Sequence, residues 1–177
     1  MNIIDDYLSE DMFKELYKVY TGSNRQICWA YHNQANPASN DIDNFQFINL
    51  LYDYRFDKMK VDVATLALLQ HLPNGFKSVI RSKANLFTIR DKQIKYGMHQ
   101  DLIIENVFDT PHYNIKTLLY YINSNNGGTE FEIDDNIKFV QSKANRAVIV
   151  DYSVKHQSIG QTDTNIRLNI NINYLEK

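Results

Sequence analysis

A mainly β, α+β fold, in which helices precede a β-sandwich or barrel, is the fold class that the sequence predicts. From residue 76 onward, short apolar runs are separated by turn residues at the spacing of an all-β sandwich or barrel. Two patterns of helical periodicity both lie before that region. The chain has 177 residues, 44% of them apolar, with 12 Tyr, 9 Phe and 1 Trp, which suffices for one substantial core and argues against disorder. We therefore expect a single domain over residues 1–177.

Two helices are predicted before the β-region. The first covers residues 9–20 with Ser9 as its N-cap, and the second covers 63–72 with Asp62 as its N-cap and Pro73 at its end. Their apolar residues recur at helical spacing: Phe13, Leu16, Tyr17 and Tyr20 in the first, and Val63, Leu66, Leu69 and Leu72 in the second. We expect the helices to cover one outer face of a sheet.

The strands are predicted from apolar and β-branched runs. Two of them, 26–32 and 45–54, flank a segment over 33–44 that is rich in Asn, Asp, Ser and Pro and is therefore predicted to be a loop. The later runs are 77–89, 94–104, 115–122, 129–133, 137–140, 146–152, 157–160 and 166–174. Among them, Gly127 and Gly128 are predicted to supply the positive φ of a turn.

The final run has the clearest alternation of apolar and polar residues. One face carries Leu168, Ile170 and Ile172, and the other carries Arg167, Asn169, Asn171 and Asn173. In a solvent-facing sheet this polar face would be ordinary. In a closed sandwich it would line a polar cavity, while the apolar face packs under the helices.

Composition excludes several classes of protein. With 19 basic and 21 acidic residues the net charge is −2, which disfavours a nucleic-acid or membrane partner. The lone Cys28 excludes an intramolecular disulfide and a Cys-based metal site, and we expect it to be a small buried hydrophobe. Because no apolar stretch approaches the length of a membrane span and no signal peptide is evident, we expect a cytoplasmic protein. The excess of Lys over Arg is typical of A+T-rich coding, as in a phage or an A+T-rich bacterium.

One group of residues has the composition of a metal site. His99 and Asp101 stand at i and i+2, so on a strand they project to the same face. A third candidate, His156, follows the predicted strand 146–152. Two imidazoles and one carboxylate leave coordination positions open, as non-haem Fe(II) oxygenases require. Arg167 lies on the polar face of the final strand, where a guanidinium would hold a carboxylate in a bidentate pair.

Two segments between these ligands carry a distinctive pattern. Residues 117–123 read Thr-Leu-Leu-Tyr-Tyr-Ile-Asn, and residues 126–131 read Asn-Gly-Gly-Thr-Glu-Phe. The order resembles that of the 2-oxoglutarate/Fe(II)-dependent dioxygenases of the prolyl 4-hydroxylase type. In that family an H-x-D motif precedes a strand ending in Y-L-N, a G-G-x-T-x-F segment, a distal His and an Arg or Lys. The departures are Ile122 for Leu, Asn126 for the first Gly, and a longer stretch before His99.

The resemblance covers residues 77–174 and implies a double-stranded β-helix, a distorted cupin-like jelly roll, with residues 1–76 as helical and strand support. By motif position, the ligands of Fe(II) would be His99, Asp101 and His156. The residues that would contact 2-oxoglutarate are Arg167 and Tyr121 at its distal carboxylate, Asn171 as a further polar contact, and Asn85 in place of a family tyrosine.

The resemblance also implies an activity. The protein would hydroxylate peptidyl proline or another peptidyl or small-molecule substrate, with O2 and 2-oxoglutarate as co-substrates, succinate and CO2 as products, and ascorbate as a further candidate cofactor. Because related halogenases lack the carboxylate ligand, Asp101 favours hydroxylation. Substrate choice is expected to depend on the segments 33–44, 87–96 and 106–114.

Two alternatives stay open at this point. One is a non-enzymatic jelly-roll module, structural or ligand-binding, in which the His-x-Asp sequence is incidental. The other is an iron-binding pseudoenzyme that senses 2-oxoglutarate. The enzyme requires the three ligands to converge within reach of one metal ion, with Arg167 about one co-substrate length behind them. The sequence does not predict an oligomeric state.

Overall fold

The chain forms ten strands and two helices within residues 1–22, 27–33, 35, 43–56, 61–101 and 114–177, which are the residues that the computed structural model describes. The helices are α1 (Glu10–Thr21) and α2 (Val63–Leu69). The strands are β1 (Asn2–Ile4), β2 (Ala30–His32), β3 (Gln46–Asp53), β4 (Phe76–Thr88), β5 (Ile115–Tyr121), β6 (Gly128–Ile133), β7 (Asn136–Gln141), β8 (Arg146–Asp151), β9 (His156–Ile159) and β10 (Ile166–Glu176). Of the described residues, 46% lie in strands and 13% in helices, so the predicted mainly β class is confirmed.

The strands form two antiparallel sheets. The larger sheet has seven strands in the order β1-β8-β5-β10-β4-β3-β2, and the smaller has three in the order β7-β6-β9. Side chains from both sheets meet in one apolar cluster, in which Leu119 and Tyr121 of β5 pack with Phe131 of β6 and Val140 of β7. The sheets therefore face each other as a sandwich, as the alternation of the later strands predicts.

The two helices cover the outer face of the seven-stranded sheet. Leu16 and Tyr20 of α1 and Leu68 and Leu69 of α2 belong to one buried cluster with the apolar face of β10. Leu168, Ile170, Ile172 and Tyr174 of that face are all 0% exposed. Burying one such side chain contributes about 2 kcal/mol. The predicted packing of this face under the helices is confirmed.

Both helices begin where the sequence predicts a cap. The Ser9 side chain accepts a hydrogen bond from the Met12 amide, and the Asp62 side chain accepts from the amides of Ala64 and Thr65. The second helix ends at Leu69, earlier than the predicted residue 72. The next residues form the tighter i to i+3 hydrogen bonds, as in His71 to Leu68 at 3.3 Å, before Pro73 stops the helix.

Three local expectations differ from the structure. The strand β1, which pairs with β8, was not predicted. Cys28 is exposed, because Ile27 and Trp29 on either side of it turn toward the helix-side cluster and direct Cys28 away. The predicted run 94–104 is attached to β9 by isolated bridges at Lys95 and His99, and its part beyond residue 101 lies outside the described residues.

Gly127 and Gly128, at the start of β6, are required because neighbouring backbone approaches them closely, and not because they adopt positive φ. Positive φ among the described glycines occurs at Gly75 and Gly97. A Cβ on Gly128 would lie 2.3 Å from the carbonyl oxygen of Val140, and one on Gly127 would lie 2.7 Å from that of Ile159. Any side chain here would separate β6 from its neighbours, so the expected turn conformation was wrong while the need for glycine stands.

Candidate metal centre

The three predicted ligands come from two paired segments. His99 and His156 face each other across an antiparallel bridge in which each amide donates to the other residue's carbonyl, at 3.0 and 2.9 Å. Asp101 follows His99 by two residues. One ligand atom from each of the three side chains lies within 4.8 Å of the others. The backbone pairing thus brings together residues that are far apart in sequence.

Each histidine ring is oriented by the backbone carbonyl of the residue two positions earlier in the chain. His99 Nδ1 lies 2.9 Å from the Gly97 carbonyl oxygen, and His156 Nδ1 lies 3.1 Å from that of Val154. A carbonyl accepts only, so each Nδ1 carries the proton and donates, which leaves Nε2 with its lone pair free. A backbone carbonyl that accepts from Nδ1 in this way fixes the orientation and tautomer of a metal-binding imidazole.

A local irregularity produces the His99 geometry. The bridges Lys95 to Ile159 and His99 to His156 differ in register by one residue, as in a β-bulge, and Gly97 between them has a φ of 89°. The Gly97 amide donates to Gln157 Oε1 at 3.1 Å, and Gln157 Nε2 donates to Glu130 at 2.6 Å. The bulge is therefore held from the neighbouring strands while its carbonyl orients His99.

Asp101 has one committed and one available oxygen. Its Oδ2 accepts from Asn171 Nδ2 at 2.6 Å and lies 3.5 Å from Asn173 Nδ2. Its Oδ1 lies 3.5 Å from His156 Nε2. Asn173 is itself held by a hydrogen bond to Thr117 Oγ1 at 2.9 Å. The amides of β10 thus aim the free carboxylate oxygen at the histidines.

The electrostatics of the triad favour a bound cation. Burial alone would raise the pKa of the Asp101 carboxyl, but attraction and hydrogen bonding to His156 hold that pKa well below its usual range. Burial opposes charge on His156 as well, yet the Asp101 carboxylate outweighs it and raises the pKa of His156. Burial lowers the pKa of His99, which keeps it neutral. A carboxylate beside two imidazoles is a donor set for a divalent transition metal.

The polar face of β10 also holds a buried guanidinium. Arg167 is 0% exposed, and its Nη2 donates to the Gly128 carbonyl at 2.7 Å and lies 3.4 Å from Thr129 Oγ1. Its Nε and Nη1 have no hydrogen-bond partner within the described structure. The guanidinium carbon lies 4.8 Å from the centre of the Phe87 ring. A buried cation with two unpartnered donors is poised for an anionic ligand.

The structure brings five of the seven predicted site residues to one cavity. The lining includes the triad together with Asn85 and Asn171, whose Oδ1 atoms are both without partners in the described residues. Asn85 Nδ2 donates to Asn169 at 2.8 Å. Arg167 and Tyr121 are fully buried behind this lining, with the Arg167 guanidinium 6.0 Å from the centre of the Tyr121 ring. The Tyr121 hydroxyl makes a long contact, 3.4 Å, with the Val140 carbonyl.

Sequence reasoning missed several residues of the same cavity. Lys83, Tyr96, Thr129, Ser158 and Asn169 also line it. Tyr96 is 2% exposed and packs against Phe87 with ring centres 4.8 Å apart. Strict alternation would turn Tyr96 away from His99, and the bulge at Gly97 reverses that direction. Lys83 could have been found from its spacing to Asn85 on one strand face. His112 of the sequence lies outside the described residues.

The fold is that of the 2-oxoglutarate- and Fe(II)-dependent oxygenases of known structure, so the predicted jelly roll is confirmed. An oxidoreductase of the 2OG-Fe(II) oxygenase family from Burkholderia pseudomallei aligns with a TM-score of 0.67 and 8% identity, over 98% of this chain and 84% of the other. A Pseudomonas putida prolyl-4-hydroxylase aligns with a TM-score of 0.58 and 14% identity, over 99% and 91%.

A third similar structure is a prolyl hydroxylase from Trichoplax adhaerens in complex with a peptide fragment of hypoxia inducible factor. It aligns with a TM-score of 0.62 and 14% identity, over 99% of this chain and 83% of the other. No protein-family model and no curated protein matches the sequence. At these identities the likeness establishes the fold, and the chemistry must be argued from the site.

No helix among the described residues is both long enough and apolar enough to cross a lipid bilayer.

Proposed function

We propose that this protein is a 2-oxoglutarate- and Fe(II)-dependent dioxygenase that hydroxylates a peptidyl or small-molecule substrate. The observation that carries the proposal is the convergence of His99, Asp101 and His156, whose ligand atoms lie within 4.8 Å of one another in one cavity. The fold neighbours add support, since they include oxygenases of this class. The alternative of an incidental His-x-Asp does not account for three side chains oriented toward one point.

The donor set suits Fe(II). Both histidines present Nε2 to the site because each Nδ1 is bound to a backbone carbonyl, and Asp101 presents Oδ1 because Asn171 occupies Oδ2. The proton that His156 shares with Asp101 Oδ1, 3.5 Å from its Nε2, would be replaced by the ion. Two neutral imidazoles and one carboxylate would occupy one side of the ion and leave the other side open for oxygen and co-substrate. Asp101 fills the position that a halide would need, which favours hydroxylation over halogenation.

Arg167 suits the distal carboxylate of 2-oxoglutarate. Its Nε and Nη1 are unpartnered and lie on different edges of the guanidinium, so a carboxylate would accept from one of them together with the second hydrogen of Nη2. These hydrogen bonds would offset the cost of burying the cation. The Thr129 hydroxyl lies 3.4 Å from Nη2 of the guanidinium, and the centre of the Tyr121 ring lies 6.0 Å from the guanidinium carbon. Both hydroxyl groups are proposed to donate to the same carboxylate. Asn85 and Asn171 line the cavity and are proposed as further polar contacts.

The chemistry divides between the ligands and the chain. When bound, Fe(II) and 2-oxoglutarate supply the oxidation, in which one atom of O2 enters the substrate as hydroxyl and the other enters succinate as CO2 leaves. The residues of the chain orient the ligands, exclude water and hold charge. The Gly97 and Val154 carbonyls keep the histidines in one tautomer, and Asn171 keeps Asp101 in one rotamer. Peptidyl proline is one substrate class to test, since the Trichoplax neighbour was solved with a peptide.

Anaerobic spectroscopy tests the proposal. Fe(II) and 2-oxoglutarate added to the protein are expected to give the weak visible absorption band of the iron chelate. His99→Ala is expected to abolish iron binding, whereas Arg167→Met should retain iron and weaken 2-oxoglutarate binding about 100-fold. His32→Ala, at an exposed histidine on β2, is the matched control and should behave as the wild type. Absence of the band in folded wild-type protein would overturn the proposal.

Product analysis separates an enzyme from a binding protein. Substrate-dependent release of succinate across peptide and metabolite libraries is expected for a dioxygenase. If the absorption band forms but no succinate is released, either with any member of the libraries or without substrate, the protein would instead be a 2-oxoglutarate sensor. Equal loss of iron in His99→Ala and Arg167→Met would contradict the separate roles given to these two residues.

A further inference from the structure

Lys83 is a cation in the cavity wall to which the proposed reaction assigns no role. It lies on β4, opposite Asn171 of β10 and Leu50 of β3, and it lines the same cavity as His99 and Asp101. Its side chain is mostly buried. Among the described residues, Lys83 forms no hydrogen bond and no ion pair. Long charged side chains are rarely placed in a cavity wall without a partner.

Lys83 attracts Asp101 electrostatically, and each charge favours the other, but the two side chains form no contact ion pair. The Asp101 carboxylate already has Asn171 on Oδ2 and His156 near Oδ1, and Lys83 makes no ion pair with it. The ammonium nevertheless acts on the whole triad, since its positive charge opposes protonation of His99, Asp101 and His156 alike. Burial, followed by repulsion from Arg81, lowers the pKa of Lys83 to about 8, so it is still mainly charged at pH 7. A cation without a hydrogen-bonding partner among the described residues therefore lines the cavity beside the triad.

Lys83 is also remote from the site proposed for the distal carboxylate of 2-oxoglutarate. Across β4 and β10, Phe87 pairs with Arg167 and Lys83 pairs with Asn171. These two levels are four residues apart, which is about 13 Å along a strand. The two carboxyl carbons of an extended five-carbon chain lie about 5 Å apart, given C–C bonds of about 1.5 Å. The carboxylate that Arg167 would hold therefore lies at a different level of the cavity from Lys83, which is at the level of Asn171.

We propose that Lys83 binds an anionic group, a carboxylate or a phosphate, of the substrate, so that the protein selects acidic substrates. The inference rests on the proposed function, because it takes the Arg167 end of the cavity as the co-substrate site. An ammonium is a point charge with three donors on a flexible stem, which suits either anion. An anionic group held at Lys83 would place the neighbouring carbon atoms of the substrate in the cavity that the triad also lines.

Anion binding tests this role directly. Inorganic phosphate, and separately acetate, is titrated calorimetrically into anaerobic protein loaded with Mn(II) and 2-oxoglutarate. Wild type is expected to bind one anion. Lys83→Met should weaken that binding about 10- to 100-fold, the effect of losing a charged hydrogen bond, while Lys83→Arg should retain it. Lys77→Met, at an exposed lysine on the same strand, is the matched control.

Three results would overturn the inference. The first is equal anion affinity in wild type and Lys83→Met, and the second is no anion binding by the wild type. The third is weaker binding of 2-oxoglutarate itself to Lys83→Met, since that would assign Lys83 to the co-substrate site. Failure of the iron chelate band contradicts the proposed function, whereas an intact band with anion affinity indifferent to Lys83 contradicts this inference alone.

Turnover distinguishes the two sources of negative charge. Peptide pairs that differ only in Asp against Asn, Glu against Gln, or phosphoserine against serine are compared by substrate-dependent succinate release. The acidic member should be preferred, with the carboxylate and phosphate pairs reporting which anion fits, and Lys83→Met should remove the preference. A neutral member that is turned over as fast as its acidic partner would contradict the proposal.

Discussion

The two faces of β10 are equally buried and chemically opposite. Toward the helices, Leu168, Ile170, Ile172 and Tyr174 are 0% exposed, and toward the cavity Arg167, Asn169, Asn171 and Asn173 are between 0% and 5% exposed. The apolar face is packed against α1 and α2. The polar face leaves donors of Arg167 and the acceptor of Asn171 without partners in the described residues.

The difference teaches that burial alone does not distinguish core from site. Both faces exclude water, but among the described residues the apolar face leaves one polar atom without a partner, the Tyr174 hydroxyl, whereas the polar face leaves several. Unsatisfied buried groups cost about 1–3 kcal/mol each, so they are expected where a ligand supplies the missing partner. The apolar face should therefore govern folding, and the polar face should govern binding.

The largest expected effect is on the apolar face. Ile170→Asn removes a fully buried apolar side chain and leaves an amide among apolar neighbours, which should lower the free energy of unfolding by about 4 kcal/mol. Urea denaturation of the metal-free protein measures this change. A loss below about 1 kcal/mol would mean that the packing under the helices contributes little to folding.

The adjacent position on the other face should respond in the opposite way. Asn171→Leu removes the amide that holds Asp101 Oδ2, so Fe(II) affinity is expected to fall about 10- to 100-fold. Stability of the metal-free protein should change by less than about 1.5 kcal/mol, since the substitution also removes an unpartnered oxygen. Anaerobic metal titration and urea denaturation give the two numbers. A large loss of stability in Asn171→Leu with unchanged metal affinity would contradict the assignment of the polar face to binding.

Substitution of Arg167, on the polar face, should stabilise the ligand-free protein, which is opposite in sign to the effect of Ile170→Asn on the apolar face. The Arg167 guanidinium is buried with two unpartnered donors, so Arg167→Met should raise the free energy of unfolding of the ligand-free protein by about 1–2 kcal/mol. The same variant should lose the added stability that 2-oxoglutarate gives to the iron-loaded wild type. Thermal denaturation with and without the co-substrate measures both. A destabilised variant would show that Arg167 contributes chiefly to packing.

The smallest effect is expected at an exposed ion pair that belongs to neither face. Asp5 accepts hydrogen bonds from Arg146 at 2.6 Å and Lys143 at 2.9 Å, and these hold the pKa of Asp5 below its usual range. Because the folded pKa is depressed, the stabilisation is present above the unfolded pKa of about 3.9 and is lost as the pH falls further. Asp5→Asn should cost less than about 1 kcal/mol at pH 7. The difference from wild type should narrow below pH 4 and in high salt, and a constant difference would exclude an electrostatic origin.

The predictable parts of this molecule are those that local sequence determines. The alternation on β10 assigns Ile170 and Asn171 to opposite faces without reference to the rest of the chain, and both helix caps follow from side-chain chemistry at Ser9 and Asp62. The convergence of His99, Asp101 and His156 follows from their order and spacing in a familiar pattern. The alternation and the caps require no knowledge of how the strands pair, whereas the triad is brought together by the bridge between His99 and His156 and was predicted through the resemblance to a known family.

The missed features depend on register and close approach. Tyr96 faces the cavity only because a one-residue slip at Gly97 reverses the alternation. Lys83 shares a strand face with the predicted Asn85, but that this face lines the cavity depends on the pairing of β4 with β10. Gly128 is needed because the Val140 carbonyl approaches it, which local turn chemistry does not show. Pairing between distant segments is the information that a single sequence carries least directly.

The two isolated bridges that attach residues 95–99 to β9 have a consequence for hydrogen exchange. Few backbone bonds hold this segment, so in metal-free protein the amides of His99 and His156 should open locally and exchange faster than those of β10. An ion bound by both histidines would cross-link the same two segments, and opening would then require its release. Fe(II) or Mn(II) should therefore slow hydrogen exchange selectively where residues 95–99 pair with β9, because the metal would hold this segment to the edge of the smaller sheet.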